Sequence, residues 1–353
     1  MSTSLPHIHL LNLAKIDYDA IVQAHICRLE TVAQDGALRE AHDDLLIEKL
    51  LPGGVTIGQY TNAHHHRDGI FSSVLKAEGA PNVHRCSLLE AKSNLVALKV
   101  THPSAMTPPH DSVRESRLLQ KAECDRVVPL IEVFQQSGGR LILVFPYMPY
   151  DLEHLLRDGR INHLQRKSCV HDLMKGLEHI HSVGIIHRDI KPSNILLRTL
   201  SGPAYIADFG IAWADHDPAS EPAIEKILDV GTTCYRAPEL LFGNQKYDTS
   251  LDMWAAGCVA AQIVCLGSVT LFDSGDLGSD LALIKSIFQT LGTPKLEVWP
   301  EAKNFPDWGK MTFYEYPRKS WNQILPHTSA AAMELVSGMV RYESSERFSA
   351  SSV

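Results

Sequence analysis

Apolar and polar positions change their period partway along the chain. From residue 51 to about residue 147 the apolar residues fall in short runs separated by polar connections. Phe71-Ser72-Ser73-Val74-Leu75 alternates, and residues 95–100 and 140–145 are apolar runs of strand length. One helix interrupts them at about residues 112–123, with Ser112 as its expected N-cap. From residue 152 onward helical spacing dominates, as over residues 166–181 and 249–266. A strand-rich part followed by a helix-rich part predicts an α+β architecture of two lobes with a cleft between them. The first lobe is assigned to residues 53–147 and the second to residues 148–353. Before them, Ile16, Ile21, Val22, Ile26, Leu29 and Val32 follow helical spacing, so residues 1–52 read as an extension, helical or partly disordered.

The chemistry concentrates in His187-Arg188-Asp189-Ile190-Lys191-Pro192-Ser193-Asn194, which follows a helical run and precedes the apolar Ile195-Leu196-Leu197. An aspartate five residues before an asparagine, with a lysine between, puts three polar groups on one tight loop. That set suits phosphoryl transfer: Asp189 accepts a hydroxyl proton, Lys191 neutralises a γ-phosphate and Asn194 holds a metal ion. Fourteen residues past Asn194, Asp208 leaves an apolar strand in Ile206-Ala207-Asp208-Phe209-Gly210, a place from which a carboxylate can ligate Mg²⁺. Upstream, Lys99 lies inside the apolar Val96-Ala97-Leu98-Lys99-Val100. A lysine there is costly unless it meets negative charge. ATP phosphates and Glu115, sixteen residues later on the predicted helix, are the expected partners.

Composition narrows the class. The net charge of −8 gives no basic face for nucleic acid. Seven cysteines without a CxxC pair argue against a disulfide framework or a zinc module. The first residues carry no secretory pattern, and the longest apolar stretch, residues 258–272, is broken by Gln262 and Gly267 and is too short to span a bilayer. The expectation is an intracellular protein of cytoplasm or nucleus. His64-His65-His66 reads as a solvated loop, because three consecutive histidines on a strand cannot face one ion.

Over residues 55–353 the chain resembles the protein kinase family. Tyr235-Arg236-Ala237-Pro238-Glu239 and the stretch over residues 281–300 are similar to the branch holding cyclin-dependent and MAP kinases. The resemblance implies a bilobal fold, ATP and Mg²⁺ as cofactors, and a protein serine or threonine as acceptor, the last through Lys191 and Thr232. It also implies that Asp252-Met253-Trp254 braces the catalytic loop and that Arg347 pairs with Glu239. By position, Phe145 is the gatekeeper, Pro146-Tyr147-Met148 the adenine-binding linker and Asp151 a ribose contact. Val74, Ala97 and Leu196 would sandwich the purine, and Gly69 is the retained glycine of the phosphate-covering loop.

Three stretches depart from that pattern. Arg67 and Ser72 replace two glycines of the phosphate-covering loop, which predicts a stiffer cover and weaker nucleotide binding. Ile227 stands where an activating threonine is usual, and Glu221 or Glu225 could offer Arg188 a permanent carboxylate instead. Pro109-His110-Asp111-Ser112-Val113-Arg114-Glu115 keeps the arginine and glutamate of the cyclin-contacting helix but not its small apolar docking residues. Together with Val230-Gly231-Thr232-Thr233-Cys234-Tyr235-Arg236, these departures resemble the single-subunit CDK-activating kinases of fungi. That likeness implies a monomer with no clear need of a cyclin, whose substrate is the activation-loop threonine of a cyclin-dependent kinase. Two alternatives stay open: a cyclin-dependent type that needs a partner, and a pseudokinase scaffold. Retention of Lys99, Asp189, Asn194 and Asp208 speaks against the scaffold.

Overall fold

The computed structural model describes residues 52–79, 94–265 and 267–353. Residues 1–51, and with them the expected extension, lie outside the described residues. Six antiparallel strands make the first sheet: β1 (Val55–Ile57), β2 (Tyr60–Asp68), β3 (Ser72–Glu78), β4 (Leu95–Thr101), β5 (Glu132–Gln136) and β6 (Arg140–Pro146). Their order across the sheet is β1-β2-β3-β4-β6-β5. Strand alternation decides the site. Val96 and Leu98 are fully buried with Ile57, Tyr60, Ala63, Ala77, Ile142 and Val144, while Ala97 and Lys99 point from the opposite face of β4.

Two expectations need correction here. The three histidines, read as a loop, lie within β2, where His64 pairs with Lys76 and His65 with Leu75 of β3. The ladder satisfies their backbone, and this overrides the polarity of the segment. His65 Nε2 bonds Asp68 Oδ1 at 2.9 Å and His64 Nε2 bonds Asn62 Oδ1 at 3.0 Å. The other correction is the N-cap of helix α1 (Ser112–Lys121), which is Asp111. Its carboxylate accepts from the N–H groups of Val113 and Arg114 at 2.8 and 2.9 Å, a stronger cap than a hydroxyl one residue inside the helix could offer.

The second half begins with β7 (Tyr150–Asp151), α2 (Leu152–Arg157) and α3 (His163–Ser182), the last opened by a capping box of Asn162 and Gln165. Strands β8 (Ile185–Ile186), β9 (Ile195–Leu197), β10 (Ala204–Ile206) and β11 (Trp213–Ala214) form two small sheets beneath the cleft, ordered β10-β9-β7 and β11-β8. Helices α4 (Pro238–Leu241), α5 (Ser250–Val264), α6 (Asp280–Leu291), α7 (Trp321–Ile324) and α8 (Ala330–Met339) complete the fold. Nearly every residue of α5 is buried, so it is a core helix with no polar face. Glu239 and Arg347, both without solvent exposure, meet in a two-pronged pair at 2.6 and 2.7 Å. The fold is the bilobal α+β arrangement expected from the sequence. Among the described residues no helix is long and apolar enough to cross a membrane.

Candidate active site

Lys99 is the meeting point of the two lobes. Its ammonium bonds Glu115 Oε1 at 2.6 Å and Asp208 Oδ1 at 2.7 Å. Burial alone would pull the lysine down, but the two carboxylates outweigh it and hold it above the usual lysine range. Lys99 in turn holds the Asp208 carboxyl well below the usual range. Burial raises Glu115, with Lys99 opposing. Gly210 lies against this triad. A Cβ there would stand 3.2 Å from Asp208 Oδ1 and 3.6 Å from both Glu115 Oε2 and Lys99 Nζ.

Below it, the catalytic loop is hung from one buried carboxylate. Asp252 on α5 accepts the backbone N–H groups of His187 (2.8 Å) and Arg188 (2.9 Å), and its Oδ2 also meets His181 Nε2 at 2.9 Å. This grip sustains Arg188 at φ 68°, a left-handed conformation that a bulky residue adopts only under constraint. His187 bonds the Ala207 carbonyl at 3.1 Å and lies edge-on to Phe209 at 4.8 Å, tying this loop to the strand end that carries Asp208.

Asp189 projects from that loop into a set of three donors. Asn194 Nδ2 reaches Asp189 Oδ2 at 3.0 Å and its carbonyl at 2.9 Å. The Thr232 hydroxyl donates to Oδ1 at 2.9 Å, and Lys191 Nζ lies 2.8 Å from Oδ2 and 2.8 Å from the Thr232 oxygen. The carboxylate is thus fixed in orientation. With the Asn194 amide nitrogen turned to Asp189, its amide oxygen is the group left to offer a cation. Together with the half-exposed Asp208 carboxylate, that is an all-oxygen donor set of the kind Mg²⁺ takes, with phosphates and water completing it. Among the described residues no group of three or more His, Cys, Asp or Glu forms a self-contained metal cage.

The cleft wall is apolar where the purine residues were expected. Phe145 and Leu196 pack on Val128, Met148, Tyr205 and Ala207. Ala97 pairs with Phe145, and Val74 pairs with Lys99 across the sheet. Tyr147 gives its N–H to Leu95 O at 3.1 Å, which fixes the linker to β4. Asp151 caps α2 by accepting from His154 N at 2.9 Å and also meets His154 Nδ1 at 2.7 Å. Gly69 closes the β2–β3 turn by donating its N–H to Ser72 O at 2.7 Å, and the Ser73 hydroxyl bonds Asp68 at 2.7 Å. The turn is stapled by side chains where glycines would have left it free.

Sequence reasoning missed His66. Its ring lies edge-on to Tyr147 at 5.4 Å, with the Lys76 ammonium 4.3 Å from the Tyr147 ring centre. The usable signal was its place three residues before Gly69 on a strand that enters the turn. Also missed was Lys226, buried between Trp213 (4.6 Å) and Tyr247 (5.2 Å) with its ammonium on Ala223 O at 2.6 Å. It pins the activation segment, residues 208–239, by cation–π contact.

Of the two candidates to neutralise Arg188, Glu221 is the one engaged. Its carboxylate bonds the Arg188 guanidinium, lies 3.7 Å from Arg114, and accepts the Ile227 N–H at 3.1 Å. Burial alone would raise this acid, but Arg188 overcomes it and leaves it below its ordinary range. Glu225 is exposed. Tyr247 completes the clamp by donating to Ile227 O at 2.7 Å and receiving Arg188 Nη1 at 3.1 Å.

A sequence model described as the protein kinase domain matches residues 80–353. This chain belongs to the protein kinase family, whose members transfer the γ-phosphoryl group of ATP with the help of Mg²⁺. Within it the chain is similar to serine/threonine-protein kinase csk1 of Schizosaccharomyces pombe, at 35% identity over 286 residues, covering 80% of this chain and 89% of that one. Cyclin-dependent kinase 20 of Danio rerio is 37% identical over 245 residues, covering 69% and 68%. Cyclin-dependent kinase D-1 of Arabidopsis thaliana is 35% identical over 240 residues, covering 67% and 57%.

Proposed function

We propose that this serine/threonine kinase works as a single chain, without activating phosphorylation of its own, on the activation-loop threonine of a cyclin-dependent kinase. The observation that carries the reading is Glu221 bonded to Arg188 and facing Arg114, a position where a fixed negative charge orders the activation segment as an added phosphate would. Lys99, Glu115 and Asp208 are already joined, so no rearrangement of α1 is needed before reaction.

Each residue then has a task. Asp189, oriented by Asn194 and Thr232, accepts the proton of the attacking hydroxyl. Lys191 stands 2.8 Å from that carboxylate and meets the charge that develops on the transferred group. Lys99 anchors phosphate and Glu115 keeps it aimed. Asp208 and Asn194 would hold Mg²⁺, which neutralises phosphate charge when bound. Phe145, Tyr147, Met148, Val74, Ala97 and Leu196 enclose the adenine, Asp151 lies at the ribose end, and Gly69 covers the phosphates. Catalysis of this kind rests on positioning and charge, with little covalent work for the protein.

A serine or threonine acceptor is supported by the likeness to serine/threonine-protein kinase csk1, and the acceptor site by Gly231, at φ 79° with a Cβ position only 3.1 Å from Arg188 O. Glycine takes this left-handed turn beside the acceptor site without strain. Action in the cytoplasm or nucleus belongs to the same proposal. The test is to incubate the purified chain with an unphosphorylated cyclin-dependent kinase and Mg²⁺-ATP and to map the phosphate by mass spectrometry. Phosphate on the activation-loop threonine supports the reading. Phosphate found only at other positions removes the proposed substrate and keeps the kinase.

A further inference from the structure

Helix α1 carries Glu115 and is bound along one face to the activation segment by three side chains, at positions 114, 117 and 121, spaced to share that face. Arg114 Nη1 donates to Ala219 O at 3.1 Å, and Lys121 Nζ lies 2.7 Å from His216 Nε2. Between them Arg117 forms a two-pronged fork with Asp217, Nε to Oδ2 and Nη2 to Oδ1, both at 2.7 Å. The Asp217 side chain is only 4% exposed. It is also built into a tight turn: its Oδ1 accepts Ala219 N at 2.9 Å, its N–H donates to Ala214 O at 3.1 Å, and its carbonyl accepts Ser220 N at 3.0 Å. The carboxylate that receives Arg117 is therefore also fixed by its own turn.

We infer that Arg117 and Asp217 are positioning residues for the kinase reaction, a latch by which the chain's own activation segment holds α1 so that Glu115 stays on Lys99 without a partner protein. One backbone bond, from Asp111 N–H to Gly210 O at 3.2 Å, ties the start of the helix to the segment, and side-chain contacts farther along set its angle. A parallel pair of N–H···O bonds resists both rotation and sliding, which a single point charge does not. Glu115 lies two residues from Arg117, so a shift of the fork is felt at Lys99. The inference rests on the protein kinase activity and is independent of which protein is the substrate.

The experiment compares wild type, Arg117→Gln, Asp217→Asn and the double variant on a generic basic protein with Mg²⁺-ATP. Asp217→Asn keeps volume and an acceptor for Ala219, and Arg117→Gln shortens a side chain that is 39% exposed, so the fold is retained. Each single variant is expected to lower kcat roughly tenfold, about 1.4 kcal/mol of barrier, with melting temperature little changed. The double variant should fall no further than the worse single, because both remove the same contact. Arg117→Lys should recover only part of the loss, since it cannot form the fork. Multiplicative losses, or a kcat within twofold of wild type in either single variant, would overturn the latch while leaving the kinase reading intact. A wild type inactive on every protein acceptor would overturn that reading and the latch with it.

Discussion

Arg188 and Glu221 join the catalytic loop to the activation segment by a direct ion pair, with Arg114 of α1 on the far side of the same carboxylate. Three elements that must agree before phosphoryl transfer can occur are therefore fastened at one point. The negative charge at that point is the carboxylate of an encoded residue.

Glu221→Gln should uncouple them. It leaves two buried guanidinium groups facing a neutral amide, and breaking a buried pair in this way costs about 3–5 kcal/mol. The expected outcome is a fall in kcat of tenfold or more on a generic protein substrate, with a smaller change in ATP KM. Steady-state kinetics on the purified variant checks it.

The Glu239–Arg347 pair makes a different prediction, because both side chains are completely buried and bonded to each other, not to a phosphate-handling residue. Arg347→Ala strands a carboxylate, at a cost of about 3–5 kcal/mol. For a domain of this size that lowers the melting temperature by roughly 10 °C. Differential scanning calorimetry measures the loss. The ATP KM of the protein that remains folded should be unchanged.

His66 provides a pH signature. Burial holds its imidazole below the ordinary 6.5, with Lys76, Arg67 and His65 adding to that and Asp151 opposing it. The folded state thus binds the proton less readily than the unfolded one. The contribution is fully present above pH 6.5 and is lost as pH falls from there toward the folded value. His66→Leu should flatten the dependence of melting temperature on pH below about 6.5. A slope identical to wild type contradicts the assignment.

How far the sequence carried this picture depends on the range of each interaction. Lys99, Asp189, Asn194 and Asp208 were legible because their spacing within short motifs is itself the signal, and the structure brings them together. Glu115 was legible because a lysine in an apolar strand demands a carboxylate. For the partner of Arg188, the sequence offered Glu221 and Glu225 equally, and only the path of the segment past Tyr247 separates them. Lys226 and the Arg117–Asp217 fork were invisible, since one depends on aromatic rings 13 and 21 residues away in opposite directions and the other spans 100 residues. The histidines of β2 misled because strand pairing with β3, a tertiary effect, outweighed their local polarity. Likewise the N-cap went to Asp111, the neighbour with the better acceptor.

The proposed kinase needs neither a modification nor a second chain. The most direct test is phosphoryl transfer by the purified, phosphatase-treated protein to a monomeric, unphosphorylated cyclin-dependent kinase, beside an Asp189→Asn control. The treated protein should transfer phosphate at a rate equal to that of the untreated one, and Asp189→Asn should abolish it. Activity that vanishes on phosphatase treatment, or that appears only when a cyclin is added, would contradict it.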